Sequence, residues 1–208
     1  MSHNIHGFGG SPKLCALKRL YVSLRPDIIL IQETMCLGDR ACKQLLKVLP
    51  SWEVCAVDAE GLSGGLAAAW NLRNTSFCSF KCIVGVLLEG KIRGRTETIR
   101  IINCYAPYSN RVDFWDDVCW CGIFNDRRLI FVGDLNFTLS AMEIWGTRVV
   151  EDGLAGYFRQ LLSAHHMVDL TPRRLSPTWR NGRLGDHGIG KRLDRFLVSE
   201  SMLMSLGL

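Results

Sequence analysis

The sequence lacks long apolar runs. No uninterrupted apolar stretch among the 208 residues reaches the roughly 18 to 20 residues that a membrane-spanning helix needs. No segment resembles a secretory signal, and we find no internal repeat, low-complexity tract or linker. These absences predict a soluble protein without a membrane partner, and nothing argues for a domain boundary.

The cysteines lack the spacing of a structural zinc site. Cys119 and Cys121 are separated by one residue, and Cys78 and Cys82 by three; neither matches the paired ligands of zinc-binding modules. The nine cysteines are odd in number and lie mostly within apolar runs, which favours reduced thiols and an intracellular location.

A nucleotide-binding phosphate loop is also absent. Gly61, Gly64 and Gly65 are not followed by a Lys-Ser or Lys-Thr pair, which such a loop uses to hold phosphates and magnesium. We expect these glycines to form a tight turn instead.

The overall composition is that of a globular protein. Hydrophobic residues make up 48% of the chain and charged residues 22%, a balance that disordered segments do not have. A chain of this length buries about 70% of its surface on folding. One large domain with a two-layer core is therefore expected.

The net charge of +5 is concentrated in two basic segments, residues 91–100 and 173–195. Such clusters suit a polyanion such as DNA. They are equally compatible with a solvated, arginine-rich surface, and charge alone does not decide between these interpretations. The basic residues are Lys91, Arg93, Arg95 and Arg100 in the first segment, and Arg173, Arg174, Arg180, Arg183, Lys191, Arg192 and Arg195 in the second.

Apolar spacing predicts strands that mostly follow one another, with helices between them. This order favours two stacked sheets flanked by helices. Ser11 and Pro12 fit the N-cap and first position of a helix that ends before Pro26. Gly90 and Gly94 are expected in the turn of a hairpin. Helices are predicted near 11–25, 39–48, 111–124 and 153–164, and strands at 27–32, 52–57, 66–71, 77–88, 96–105, 129–132 and 193–198.

Acidic and amide side chains occur where the apolar strands end or begin. Glu33 follows one strand, Asp134 and Asn136 follow another, and Asp194 lies near the start of the last. A sheet presents site residues at strand ends, and Mg²⁺ prefers oxygen ligands, of which it takes one or two carboxylates. These residues predict a magnesium site, although each acid alone could simply cap a loop.

Six ordered segments can be compared with known families: Asn4-Ile5-His6-Gly7, residues 26–34, Gly64-Gly65-Leu66-Ala67, Asn103-Cys104-Tyr105-Ala106-Pro107, Gly133-Asp134-Leu135-Asn136-Phe137 and residues 192–199. Together they closely resemble the endonuclease/exonuclease/phosphatase superfamily. Their Gln-Glu-Thr and Cys-Tyr-Ala-Pro versions, and Ser-Pro-Thr-Trp at 176–179, resemble the endonucleases of plant LINE-type (non-LTR) retrotransposons.

The resemblance implies a DNase I-like α/β fold, a four-layer αββα sandwich of two mixed sheets flanked by helices. It also implies roles for matched residues. Glu33 would bind magnesium, with Asn4 holding that site. Tyr105 would contact the scissile phosphate, Asp134 would orient or deprotonate the attacking water, and Asn136 would donate to a phosphate oxygen.

Asp194 matches the family aspartate that orients a catalytic histidine. In the family that histidine belongs to a Ser-Asp-His block on one further strand, which does not follow here before Leu208. Asp186-His187 precedes Asp194, so we interpret it as a loop pair. We therefore expect one domain over residues 1–208, lacking the last strand and slightly shortened before Asn4.

The resulting expectation is a Mg²⁺-dependent phosphodiester hydrolase that cleaves DNA, with Mn²⁺ as a substitute. It would act in the nucleus and need no protein partner. Arg180, Arg183 and Arg192 would contact nucleic acid. A catalytically silent nucleic-acid-binding remnant is one alternative, and a phosphatase for a small molecule or lipid headgroup is another.

Overall fold

Strand β2 (Ile28–Gln32), whose sequence is apolar up to its last residue, lies inside a sheet of mixed direction. A computed structural model describes residues 1–60 and 63–207. The chain forms two compact units, Met1–Tyr105 and Ala106–Leu208, which we describe one at a time.

In the first unit, one sheet has the order β1-β2-β4-β3, and a second ladder joins β5, β6 and β7. β1 runs parallel to β2, and the other pairs are antiparallel. β2 and β4 pack against β7, so two layers of strands face each other. The elements are β1 (Ser2–Asn4), α1 (Ser11–Leu24), β2 (Ile28–Gln32), α2 (Gly38–Val48), β3 (Glu53–Glu60), β4 (Ser63–Trp70), β5 (Thr75–Cys82), β6 (Gly85–Ile92) and β7 (Ile99–Tyr105).

Apolar side chains on the strands and helices explain why this unit folds. Ile29 and Ile31 of β2 are fully buried, together with Leu17 of α1 and Leu45 of α2. Each fully buried side chain of this size contributes about 1.5–3 kcal/mol. α1 begins at Ser11, but its N-cap is Gly10 and not Ser11, which corrects the sequence-based expectation.

The predicted strand at 77–88 is two strands. β5 and β6 form a hairpin in which Cys82 pairs with Gly85, and β6 continues into a turn that contains Gly94. Gly90 lies inside β6 rather than in that turn. A Cβ on Gly90 would lie 1.9 Å from the backbone oxygen of Ser76, so the close approach of a neighbouring strand, not a turn, requires this glycine.

The turn expected at Gly61, Gly64 and Gly65 falls partly within β4, which pairs with β3 in antiparallel fashion up to Glu60 and Ser63. Gly61 lies outside the described residues. Gly64 and Gly65 belong to β4 and have left-handed φ angles of 73° and 79°.

In the second unit, β8, β13 and β10 form an antiparallel ladder in that order. A small separate sheet has the order β11-β12-β9. The elements are α3 (Arg111–Trp120), β8 (Leu129–Asp134), β9 (Ile144–Trp145), α4 (Ala155–Ala164), β10 (Met167–Asp169), β11 (Trp179–Arg180), β12 (Gly190–Lys191), β13 (Asp194–Ser199) and α5 (Glu200–Leu206).

An aromatic cluster around Trp115 forms the core of this unit. Trp115 is fully buried, and its ring lies 5.5 to 6.4 Å from those of Phe124, Phe131, Phe137 and Phe158. These residues come from helices, β8 and the segment after β8, so the cluster fixes where β8 ends. Within the part of the chain described, no helix has both the length and the apolarity to cross a membrane.

Candidate functional site

Glu33 directly follows β2 and has an unusual backbone conformation. Its φ angle is 52°, in the left-handed region that few residues other than glycine adopt. Its side chain is only 11% exposed. Such strained conformations persist where the surrounding structure holds them, and they cluster at functional sites.

Two neighbours hold the Glu33 carboxylate from β1 and the segment after it. Asn4 Nδ2 donates to Glu33 Oε1 at 2.9 Å, and His6 Nδ1 lies 2.7 Å from Glu33 Oε2. The Asn4 side chain is fixed in turn, because its Oδ1 accepts from the His6 backbone N–H at 3.1 Å. Asn4 and Glu33 are thus together, as the resemblance implies.

Backbone contacts around Gly65 set the turn that carries Glu33. The N–H of Thr34 donates to the Gly65 oxygen at 3.0 Å, and the Met35 N–H donates to the Gly64 oxygen at 3.1 Å. A Cβ on Gly65 would lie 2.3 Å from Thr34 Oγ1. Only glycine therefore permits this approach of β4 to the Glu33 segment.

Asn103 joins the two strand layers of the first unit next to Gln32, the residue that precedes Glu33. It is fully buried in β7, and its Nδ2 donates to the oxygens of Ile31 in β2 and Ala67 in β4. Its Oδ1 accepts from Gln32 Nε2 at 2.5 Å. Tyr105 ends the same strand, half-buried. Sequence reasoning missed Asn103, whose partners are distant along the chain.

Asp134 and Asp194 occupy directly opposite positions on β8 and β13. Asp134 is buried, and its backbone oxygen accepts from the Ala106 N–H at 2.8 Å. The Asp194 N–H donates to Thr178 Oγ1 at 3.1 Å. The structure therefore brings together two of the predicted carboxylates of this unit.

Asn136 lies beside Asp134 and, like Glu33, has a left-handed backbone, with φ 53°. Its N–H donates to Asp134 Oδ1 at 3.2 Å, and its Nδ2 donates to the Ala106 oxygen at 2.5 Å. An amide NH₂ has two hydrogens. The Ala106 oxygen accepts from one of them.

Arg192 is buried, contrary to the expected role in nucleic-acid contact. Its side chain is 3% exposed and pairs with Glu143 at 2.6 Å and Asp169 at 2.7 Å. Arg195 contacts the same two acids. Burial opposes the charge of Arg192, but hydrogen bonds to Asp169 and Glu143 outweigh it and raise the pKa of Arg192. A buried, doubly paired guanidinium is not available to a phosphate, so the expectation for Arg192 is wrong.

Arg180 and Arg183 differ from Arg192 in being exposed. Arg180 ends β11, and Arg183 follows in the loop before β12. Asp186 and His187 belong to a short, exposed 3₁₀ turn in the same loop, consistent with the interpretation as a loop pair.

The residues around Glu33 fit a magnesium ion better than zinc. Among residues 1–60 and 63–207, no group of three or more His, Cys, Asp or Glu side chains could hold a metal, whereas a structural zinc ion takes four such ligands. Magnesium is commonly bound through one or two carboxylates and keeps several waters. A single shielded carboxylate, Glu33, held by a hydrogen bond from the amide of Asn4, fits this mode of coordination.

Facing strand layers with acids and amides at strand ends define an α/β protein of the DNase I-like class. The chain belongs to the endonuclease/exonuclease/phosphatase family, whose model matches residues 1–205. Comparison with curated proteins gave no match.

Solved structures of the same class cover nearly the whole chain. The endonuclease domain of TRAS1, a telomere-specific non-LTR retrotransposon, matches with TM-score 0.69 and 18% identity over 98% of this chain and 85% of that one. AP endonuclease LMAP from Leishmania major matches with TM-score 0.77 and 14% identity, over 96% and 78%. The 3′ phosphatase NExo from Neisseria, bound to a product DNA hairpin, gives 0.66 and 17%, over 98% and 87%.

At these identities the likeness shows the fold alone. It confirms the expected mixed α/β fold with two large sheets flanked by helices.

Proposed function

We propose that the chain is a divalent-metal-dependent phosphodiesterase that nicks DNA, using Mg²⁺ or Mn²⁺. Family membership supports hydrolysis. Structures in the class include endonucleases and a phosphatase bound to product DNA. The observation that carries the proposal is the hydrogen bond from Asn4 to Glu33 at 2.9 Å, which holds a shielded carboxylate at a strand end.

Each predicted site residue of the first unit then has its own role. Glu33 would hold the metal, which when bound would neutralise charge on the phosphoryl group. Asn4 orients the Glu33 carboxylate. Tyr105 would donate from its hydroxyl to the scissile phosphate. Fixed donors of this kind stabilise charge as it develops in the transition state.

In the second unit, Asp134 would orient the attacking water and accept its proton. Asn136 would donate its second amide hydrogen to a phosphate oxygen. Asp194, opposite Asp134, would orient a catalytic histidine, as the matching family aspartate does. The exposed Arg180 and Arg183 would contact DNA phosphates.

We also propose an origin in a plant LINE-type retroelement, with action in the nucleus. The Gln-Glu-Thr segment at Glu33 and the Cys-Tyr-Ala-Pro segment at Tyr105 support that origin. The match to the endonuclease domain of TRAS1, a non-LTR retrotransposon, agrees with it.

A nicking assay on supercoiled DNA tests the function. We expect open circles with Mg²⁺ or Mn²⁺ and none with chelator. Binding without metal-dependent nicking would overturn the proposal in favour of a silent nucleic-acid-binding remnant. Phosphate release from small esters without nicking would instead identify a small-molecule phosphatase.

A further inference from the structure

Arg111 and Asp152 form an ion pair next to the segment that follows β8 and contains Asn136. Two guanidinium nitrogens of Arg111 reach the two Asp152 oxygens, Nη1 at 2.6 Å and Nη2 at 2.8 Å. The side chains are 20% and 8% exposed. Such parallel, charge-assisted hydrogen bonds fix both distance and orientation, and they are stronger than neutral ones.

The same guanidinium also holds the backbone of Asn136. Arg111 Nη1 donates to the Asn136 backbone oxygen at 2.9 Å. The other groups of Asn136 are held by Asp134 and Ala106. Its backbone N–H, its side chain and its carbonyl are thus all fixed, which explains how a left-handed residue persists there.

Asp152 anchors the pair to the start of α4 and to the segment just after Asn136. Its Oδ1 accepts from the Leu154 N–H at 3.0 Å, and its Oδ2 from the Thr138 N–H at 3.5 Å. Burial opposes the charge of Asp152, but hydrogen bonds from Arg111 and these backbone groups outweigh it and lower its pKa. The anchor is therefore charged at neutral pH.

We propose that Arg111, held by Asp152, is a positioning residue that fixes Asn136 in the conformation its amide needs to meet the scissile phosphate. This inference rests on the proposed function. The hydrogen bond from Arg111 reaches the backbone carbonyl of Asn136. It would therefore act on the rate of the chemical step and not on DNA binding, and misplacing a catalytic group by about 1 Å can cost about 10²-fold in rate.

The test compares Arg111→Met, Arg111→Lys and Asp152→Asn with Arg159→Gln. Arg159 is a matched control, since it belongs to the same unit, pairs with an acid, Glu151, and also donates to a loop carbonyl, but does not contact Asn136. We expect kcat for nicking to fall about 10- to 100-fold in Arg111→Met, with KM for DNA within about twofold of wild type.

The conservative variants keep the test valid if Arg111→Met does not fold. Lysine keeps the charge but not the two parallel hydrogen bonds, so Arg111→Lys should show a smaller fall in kcat, as should Asp152→Asn. Arg159→Gln should retain the wild-type kcat. A fall no larger than that of Arg159→Gln, or a rise in KM with unchanged kcat, would overturn the inference.

A crystal structure of Arg111→Lys separates this inference from the proposed function. We expect Asn136 to leave the left-handed region, or its amide to stop donating to the Ala106 oxygen. If the wild-type chain does not nick DNA, the proposed function fails, and this structural result still decides whether Arg111 positions Asn136. An unchanged Asn136 would contradict the positioning role.

Discussion

Asp134 and Asp194 lie directly opposite each other on antiparallel strands, β8 and β13. Side chains in such pairs point to the same face of the sheet, and like charges there destabilise it. Asp194→Asn should therefore raise the free energy of unfolding by about 0.2–1 kcal/mol while lowering nicking activity. Urea unfolding and a nicking assay measure both. Asp186→Asn, which changes an exposed loop aspartate, should alter neither, and a destabilised Asp194→Asn would contradict the pairing argument.

Glu33→Gln should abolish metal-dependent nicking, because a neutral amide cannot replace a magnesium-bound carboxylate. DNA binding without metal should persist. The matched control is Glu53→Gln, an exposed glutamate at the start of β3, which should nick as the wild type does. The metal role of Glu33 fails if Glu33→Gln retains nicking that chelator removes.

Arg180 and Arg183 should contribute to DNA affinity by neutralising phosphates. Replacing both by glutamine should weaken binding and reduce the salt slope by about 0.9 for each phosphate that is no longer neutralised, with little change in sequence preference. A fluorescence titration against salt concentration measures the slope. An unchanged slope would show that these arginines do not meet phosphates.

Arg192 should behave differently from its exposed neighbours. Removing one partner of a buried ion pair leaves the others uncompensated and costs about 3–5 kcal/mol. Arg192→Gln should therefore lower the free energy of unfolding in urea. Under conditions where the variant remains folded, it should leave the salt slope of DNA binding unchanged. A stable variant with a reduced slope would restore the sequence-based expectation.

The contrast among these arginines shows what the sequence could predict. The apolar runs located β2 and β8, and the polar residues after them, Glu33 and Asp134, lie at strand ends as expected. Burial of Arg192 depends on Glu143 and Asp169, whose spacing along the chain carries no pattern. Local periodicity reports which face of a strand is apolar, but it does not report which distant charges meet.

The hairpin of β5 and β6 shows a second limit of prediction from the sequence. The run at 77–88 is largely apolar, and its turn at Ile83 and Val84 contains no polar residue, so that Gly85 directly after the turn was the one glycine in the run that could indicate a break. Gly90 was expected in a turn, but the close approach of β5 is the reason that this position requires glycine. The short strands β9, β11 and β12 were missed because two-residue strands are too short for alternation to be recognised.

Acid should destabilise the second unit. Burial opposes charge on Glu143, but hydrogen bonds from Arg195 and other groups lower its pKa, and the pKa of Asp152 is lowered in a similar way. A carboxyl whose folded-state pKa is depressed stabilises the fold above its unfolded pKa and loses that contribution as pH falls through the folded value. Their contribution should be lost below about pH 4. Urea unfolding across pH should show a shallower acid dependence in Asp152→Asn than in wild type, and equal dependence would contradict the assignment.

Asn103 should link the stability of the first unit to the position of Glu33. Asn103→Ala removes the partner of Gln32 Nε2 and of the Ile31 and Ala67 oxygens. A buried polar group left unsatisfied costs about 1–3 kcal/mol, so the free energy of unfolding should fall by at least that amount. Because Gln32 directly precedes Glu33, nicking by the folded variant should also need more Mg²⁺ for half-maximal rate.

Urea unfolding and a Mg²⁺ titration measure these effects, and the exposed Asn125→Ala is the control. If Asn103→Ala unfolds as the wild type does, the bridge does not hold the layers together; if only its Mg²⁺ requirement is unchanged, Asn103 stabilises the fold without positioning Glu33.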